Sequence, residues 1–137
     1  MIIGLTRDTR RGHIAKAALE GIALSVATLT ELAETSIGHA LGELAVDGGA
    51  AASNSLLQAQ ADSTGLRIRR PVNLESTAKG VALLAGVEAG VINNLTELAA
   101  EREKGASIFV PKIDASTRDK WRSNWDKAVK RSLKWHE

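Results

Sequence analysis

Residues 43–54, ELAVDGGAAASN, decide how the chain is read. Leu44, Ala45 and Val46 form a short apolar run that predicts a strand. Asp47 and two glycines follow, then a run of small residues that opens a helix continuing as SLLQAQAD. In that helix Leu56, Leu57, Ala59 and Gln60 are spaced for one buried face. A strand ending in Gly48-Gly49 lets backbone N–H groups come close to a ligand, because no side chain intervenes. The helix N-terminus directly behind adds partial positive charge, which suits a phosphate or the polar edge of a nucleotide. Ala50, Ala51, Ala52 and Ser53 leave room for a flat group. The alternative is an ordinary strand-to-helix turn that needs glycine for its backbone angles. On these residues alone that alternative is favoured, since a lone Gly-Gly turn falls far short of a full phosphate-loop motif.

Working outward, the N-terminal side begins with MIIGLT, residues 1–6, a β-prone run with no lead-in. A polar, basic loop follows, in which Asp8 or Thr9 is placed to cap a helix. From about Arg10 to Thr35 the spacing is helical, with Ile14, Ala18, Ile22, Val26, Leu29 and Leu32 on one face. On the C-terminal side, Gly65 is the expected left-handed helix stop. Residues 66–70 alternate Leu66 and Ile68 against Arg67 and Arg69, which predicts a strand ended by Pro71. A helix starts at Glu75-Ser76-Thr77, with Ser76 or Thr77 as cap, and runs to the break at Asn93-Asn94. It carries Gly80, Gly86 and Gly90, each costing about 1 kcal/mol relative to alanine in a helix interior, so close packing on a neighbour is expected to offset them. Residues 95–102 read as a short acidic helix and 106–110 as a strand closed by Pro111. In the last helix, capped by Asp114 or Ser116, Trp121, Trp125, Val129 and Leu133 make an i, i+4 stripe. Strands alternating with helices give the α/β class.

At 137 residues there is one domain's worth of chain. With no cysteine, a disulfide scaffold, a thiolate zinc site and a cysteine nucleophile are excluded. His13, His39 and His136 stand far apart and show no metal spacing. No apolar run reaches a membrane span and no signal peptide is recognised, so no membrane is expected and the cytoplasm is the expected compartment. Residues 1–110 are slightly acidic, whereas 111–137 are basic and hold all three tryptophans, Trp121, Trp125 and Trp135, with Phe109, the one other aromatic, just before them. A basic, Trp-bearing tail is one signature of nucleic-acid binding, but an amphipathic helix with a solvated basic face accounts for it better. No nucleic-acid partner is expected.

The motifs, taken together, resemble the carbohydrate kinases of the FGGY type and, among them, the glycerol kinases. The resemblance is carried by residues 3–7 (IGLTR), 13–23 (HIAKAALEGIA), 46–50 (VDGGA), 57–62 (LQAQAD), Arg70-Pro71, 75–80 (ESTAKG), 125–131 (WDKAVKR) and Trp135. It implies part of an actin-like, ribonuclease-H-like α/β domain that binds nucleotide, with residues 1–137 forming the C-terminal part of that domain. Carried over by position, Gly49 and Ser53 become contacts for the adenosine half of ATP or ADP, with Gly48, Ala50 and Asn54 beside them. Departures are Ser53, where the family usually has asparagine, and Asp8, Lys79 and Ile92. Serine offers one hydroxyl where an amide offers both donor and acceptor.

Further implications concern what lies elsewhere. The glycerol-binding domain, the N-terminal phosphate loop and the catalytic aspartate are expected upstream of Met1, so this chain is expected to hold no catalytic residue and no metal ligand. Magnesium enters as the nucleotide complex, with its ligands outside this chain. The expected partners are nucleotide and the N-terminal portion of the kinase, with the oligomeric state left open. Asp47 is the only carboxylate beside the turn and reads as a strand-end support rather than a metal ligand. Glu20 and His13 read as packing or capping residues. A non-catalytic nucleotide- or protein-binding module is the alternative function.

Overall fold

The computed structural model describes residues 1–92 and 105–133. The element order is α1 (Arg11–Ile37), β1 (Glu43–Ala45), a 3₁₀ turn (Gly49–Ala52), α2 (Asn54–Thr64), β2 (Arg67–Arg70), α3 (Ser76–Glu88), β3 (Ser107–Phe109) and α4 (Ala115–Ser132). The expected helix over 95–102, the break at Asn93-Asn94 and Trp135 lie outside the described residues. The three strands form one sheet in the order β1-β2-β3, with β1 parallel and β3 antiparallel to β2. This is the α/β architecture expected from the alternation of elements. No helix among the described residues is long and apolar enough to cross a membrane.

The core lies where α2 crosses the sheet. Ala51, Leu57, Ala61 and Ile68 are buried, with Leu44, Val46, Leu74 and Phe109 packed against them. Ile68 is central because its strand is the middle one, flanked by Leu44 and Phe109 in register. Gly65 ends α2 in the left-handed conformation (φ 78°), as expected, and its N–H donates to the Ala61 carbonyl. A Cβ there would come within 2.9 Å of the Arg118 guanidinium and would displace that side chain of α4.

α1 packs on α2 through a different face from the expected one. Its buried residues are Ala23, Ala27 and Thr30, while Ile14, Ile22, Leu29 and Leu32 are exposed. The reason is size. Small side chains let the two backbones approach closely, so that the Ser63 hydroxyl reaches the Ala23 carbonyl at 3.1 Å. Both faces of α1 are apolar, and hydropathy spacing does not say which of them meets α2.

Several local expectations are also corrected. Residues 1–6 form no strand and are exposed, since no described strand offers them a ladder. Neither Asp8 nor Thr9 caps α1. The N-cap is Arg10, whose N–H donates to Nδ1 of His13 at 3.2 Å, while Thr6 and Thr9 bond each other in the preceding turn. α3 takes Glu75 as its N-cap, without a side-chain cap from Ser76 or Thr77. It ends at Glu88 rather than near Ile92, and none of its residues is buried. Of its glycines only Gly86 meets a close neighbour, the Ile92 side chain folded back over it; a Cβ on Gly80 or Gly90 would touch nothing among the described residues.

α4 is held mainly by polar contacts. Asp114 caps it as expected, its carboxylate accepting from the Thr117 N–H at 2.7 Å. That bond is the main reason the Asp114 carboxyl titrates below its ordinary value of 3.8. Arg122 donates to the Ser63 and Thr64 carbonyls at the end of α2 and pairs with Glu31 of α1. The expected aromatic stripe is only partly inside: Trp121 and Trp125 are half-buried, Trp125 lying 3.8 Å from a Cβ built on Gly21, whereas Leu133 is exposed.

Candidate functional site

The site is built on the connection from β1 to α2. Gly48 adopts φ 79° and ψ 175°, a conformation that side-chain-bearing residues rarely take. Its N–H is not available to a ligand, because it donates to the Leu74 carbonyl at 2.9 Å. That bond ties the turn to the loop that follows β2. Gly49 through Ala52 then form one 3₁₀ turn, rather than the start of the α-helix that the small-residue run predicts. The N–H groups of Ala51 and Ser53 bond back to Gly48 and Ala50. Those of Gly49 and Ala50 meet no acceptor among the described residues. They are the two backbone donors the turn can offer. A Cβ built on either Gly48 or Gly49 meets no atom within 4 Å, so the space beside the turn is open.

Ser53 has a structural task. It is the N-cap of α2, and its Oγ accepts from the Leu56 N–H at 3.2 Å. Its hydroxyl proton can still be donated. Asn54 stands exposed at the first helical position, and its Oδ1 accepts from Arg70 at 2.8 Å. Gly48, Gly49 and Ala50 thus belong to the turn, Ser53 and Asn54 open the helix behind it, and of the five Ala50 is the one that lines the neighbouring cleft. Gly49 and Ala50 offer backbone N–H groups, and Ser53 and Asn54 offer side-chain donors.

An open cleft of about 250 Å³ runs beside this turn, walled by Val46, Asp47, Ala50, Leu56 and Gln60 among others. Asp47 sits exposed at its rim. Gln60 is 7% exposed, and its Oε1 has no hydrogen-bond partner among the described residues. A larger groove of about 430 Å³ lies between α1 and α4, remote in sequence from the turn. Its walls carry both signs of charge, and Arg122 and Glu31 there already pair. The smaller cleft is the better candidate because Ala50, whose N–H meets no acceptor among the described residues, is on its wall.

Sequence reasoning missed two features that hold this region in place. One is Arg70, the last residue of β2, which reaches under the turn to the carbonyls of Ala51 and Ala52. The other is the pair Gln58 and Asp62. Asp62 accepts from Gln58 and from the Lys112 N–H at 2.6 Å, and Gln58 also donates to the Val110 carbonyl. Together they pin the segment after β3 onto α2. A buried Asp beside apolar helix positions was a usable signal, since such a carboxylate must find donors. His13 and Glu20 have structural partners, the Arg10 N–H and Lys16. Among the described residues no group of three or more His, Cys, Asp or Glu could hold a metal ion.

Comparison with known proteins bears on this geometry. The family model for the C-terminal domain of the FGGY family of carbohydrate kinases matches residues 1–89. The chain is 42% identical over 134 residues to a glycerol kinase of Carboxydothermus hydrogenoformans, covering 98% of this chain and 27% of that protein. It is 39% identical over 135 residues to glycerol kinase 2 of Sulfolobus acidocaldarius, with the same coverage. Among solved structures, the Plasmodium falciparum glycerol kinase with ADP superposes with a TM-score of 0.85 at 32% identity, over 97% of this chain and 26% of that one. A xylulose kinase from Lactobacillus acidophilus, at 20% identity and a TM-score of 0.74, shares the fold. The chain thus spans about a quarter of the length of the relatives it matches. On this evidence the chain belongs to the FGGY family of carbohydrate kinases and corresponds to a C-terminal portion of such an enzyme, similar to that of glycerol kinases.

Proposed function

We propose that this chain is the nucleotide-binding portion of a kinase that transfers the γ-phosphate of ATP to a hydroxyl of glycerol. The observation that carries the reading is the turn itself. Gly49 and Ala50 present N–H groups with no partner among the described residues, on an open surface, in a fold shared with a glycerol kinase described with ADP. Gly48 shapes the turn, Gly49 and Ala50 supply backbone donors, and Ser53 and Asn54 supply side-chain donors. These groups suit the adenosine half of ATP or ADP.

Phosphoryl transfer also needs a group to position the acceptor hydroxyl, a magnesium site and clamps on the phosphates. In this reading those parts, including the catalytic aspartate and the ligands for magnesium, belong to the rest of the kinase. The exposed apolar faces of α1 (Ile22, Leu29, Leu32) and α3 (Val81, Leu84) support a partner of that kind, because a polypeptide packed there would take them out of water. The same faces support a second reading, a non-catalytic module that binds nucleotide or another protein. The half-burial of Trp121 and Trp125 argues against base stacking by α4, so nucleic acid is not a proposed partner.

A coupled assay separates transfer from binding. The chain with ATP, magnesium and glycerol is expected to release no ADP above background. Protein-dependent glycerol phosphate would contradict the assignment of the reacting groups to the rest of the kinase.

A further inference from the structure

Arg70 makes an unusual set of contacts for a strand-end residue. Its Nη1 lies 3.1 Å from the Ala51 carbonyl, 3.4 Å from that of Ala52 and 2.8 Å from Oδ1 of Asn54. Its Nη2 donates to the Ser107 hydroxyl at 3.2 Å, and the guanidinium lies 5.3 Å from the centroid of the Phe109 ring. Ser107 is the register partner of Arg70 across the β2–β3 ladder. The guanidinium is therefore gripped by β3 on one side and grips the turn on the other. Only a planar fork of fixed donors can span that set; a lysine ammonium is a point charge that cannot.

Two consequences follow for the turn. The carbonyls at the end of the 3₁₀ turn are engaged by a cation, which fixes the peptide planes that lie between them and the free N–H groups of Gly49 and Ala50. The Asn54 amide is fixed as well. With one lone pair of its oxygen engaged by Arg70, the amide is held in one orientation with its NH₂ turned away from the guanidinium, so the donor is the group the contact leaves fully open to a ligand. We propose that Arg70 is a positioning residue of the nucleotide site, one that orders the Gly48–Asn54 turn from β3 and sets Asn54 as a donor toward an acceptor atom of the nucleotide. The nucleotide part rests on the function proposed above; the ordering of the turn does not.

The test joins amide hydrogen exchange to an ADP titration, both read residue by residue by NMR. Arg70→Lys is expected to speed exchange at residues 51–57 by about tenfold, the loss of one charge-assisted contact set, with β2 and β3 little changed. Ser107→Ala, which alters β3 and leaves the turn's own residues intact, is expected to speed the same amides by a smaller factor. It carries the test if Arg70→Lys does not fold. Asn54→Asp keeps an acceptor for Arg70 and removes the NH₂, so it is expected to leave exchange in the turn unchanged and to weaken ADP. A merely structural arginine would raise exchange across the whole sheet, and that uniform result overturns the proposal. So does ADP binding that Asn54→Asp leaves unaltered. If the unaltered protein shows no ADP shifts at all, the nucleotide reading fails, while the exchange pattern still decides whether Arg70 orders the turn.

Discussion

α2 and α3 are helices of similar length, yet they stand in opposite surroundings. Seven residues of α2 are buried, including Leu56, Leu57 and Ala61. None of α3 is, although its sequence is the more apolar of the two. α2 lies between the sheet and α1, so each of its faces meets something. α3 and the outward face of α1 present Leu84, Val81, Leu29 and Leu32 to the surroundings. Apolar composition thus marks surfaces able to be buried, and the packing partner decides which of them are.

The sharpest way to break this comparison is to cut equivalent side chains from the two settings. Leu57→Ala, at a residue 1% exposed, should destabilise the fold by about 2–5 kcal/mol through lost burial and the cavity left behind. Leu29→Ala, at 66% exposure, should change stability by less than about 0.5 kcal/mol. Urea melts of the two variants give the numbers. Equal losses would mean that the outward face of α1 is covered in solution.

Trp125 falls between these extremes. A fully buried tryptophan would make Trp125→Ala cost about 3–5 kcal/mol. Half-burial against α1 lowers the expected loss to about 1–3 kcal/mol, read from the same urea melts. A melting transition unchanged by the substitution would show that α4 is not packed on the body.

The smallest effect belongs to Asp114. Its folded-state value is lowered, chiefly by the Thr117 N–H, so the carboxylate stabilises the fold at pH above its unfolded value near 3.8. That contribution is lost as the pH falls through the lower folded value. The melting temperature of Asp114→Asn should therefore differ slightly from that of the unaltered protein at pH 7 and converge with it as the pH falls well below 3.8. A difference that persists at low pH would show that the carboxylate charge is not what matters.

Much of this was legible beforehand, and what was not has particular causes. β1, β2, β3, the Gly65 stop and the Asp114 cap follow from local rules, because each depends on residues adjacent in the chain. The buried face of α1 did not follow. Ala23 and Ala27 are less hydrophobic than Ile22 and Leu29, and only the close approach of α2 selects them. The strand expected at residues 1–6 failed for want of a neighbouring ladder among the described strands. At the candidate site the glycine turn was readable, but the commitments of its atoms were not. That Gly48 donates to Leu74, that Ser53 caps α2 and that Arg70 holds Asn54 are long-range facts or choices between equivalent local bonds.

The central claim is that nucleotide meets this chain at the turn, and an ADP titration followed by amide NMR tests it most directly. Donors lie on one side only, so affinity is expected at about 1 mM or weaker. Shifts should map to residues 47–54. Gly49→Val should abolish them while the protein stays folded, since a Cβ there enters open space and clashes only with an approaching ligand. Ser53→Asn should strengthen binding, because asparagine keeps the cap and adds an amide donor. Shifts that map away from residues 47–54, or binding that Gly49→Val leaves intact, would contradict the account.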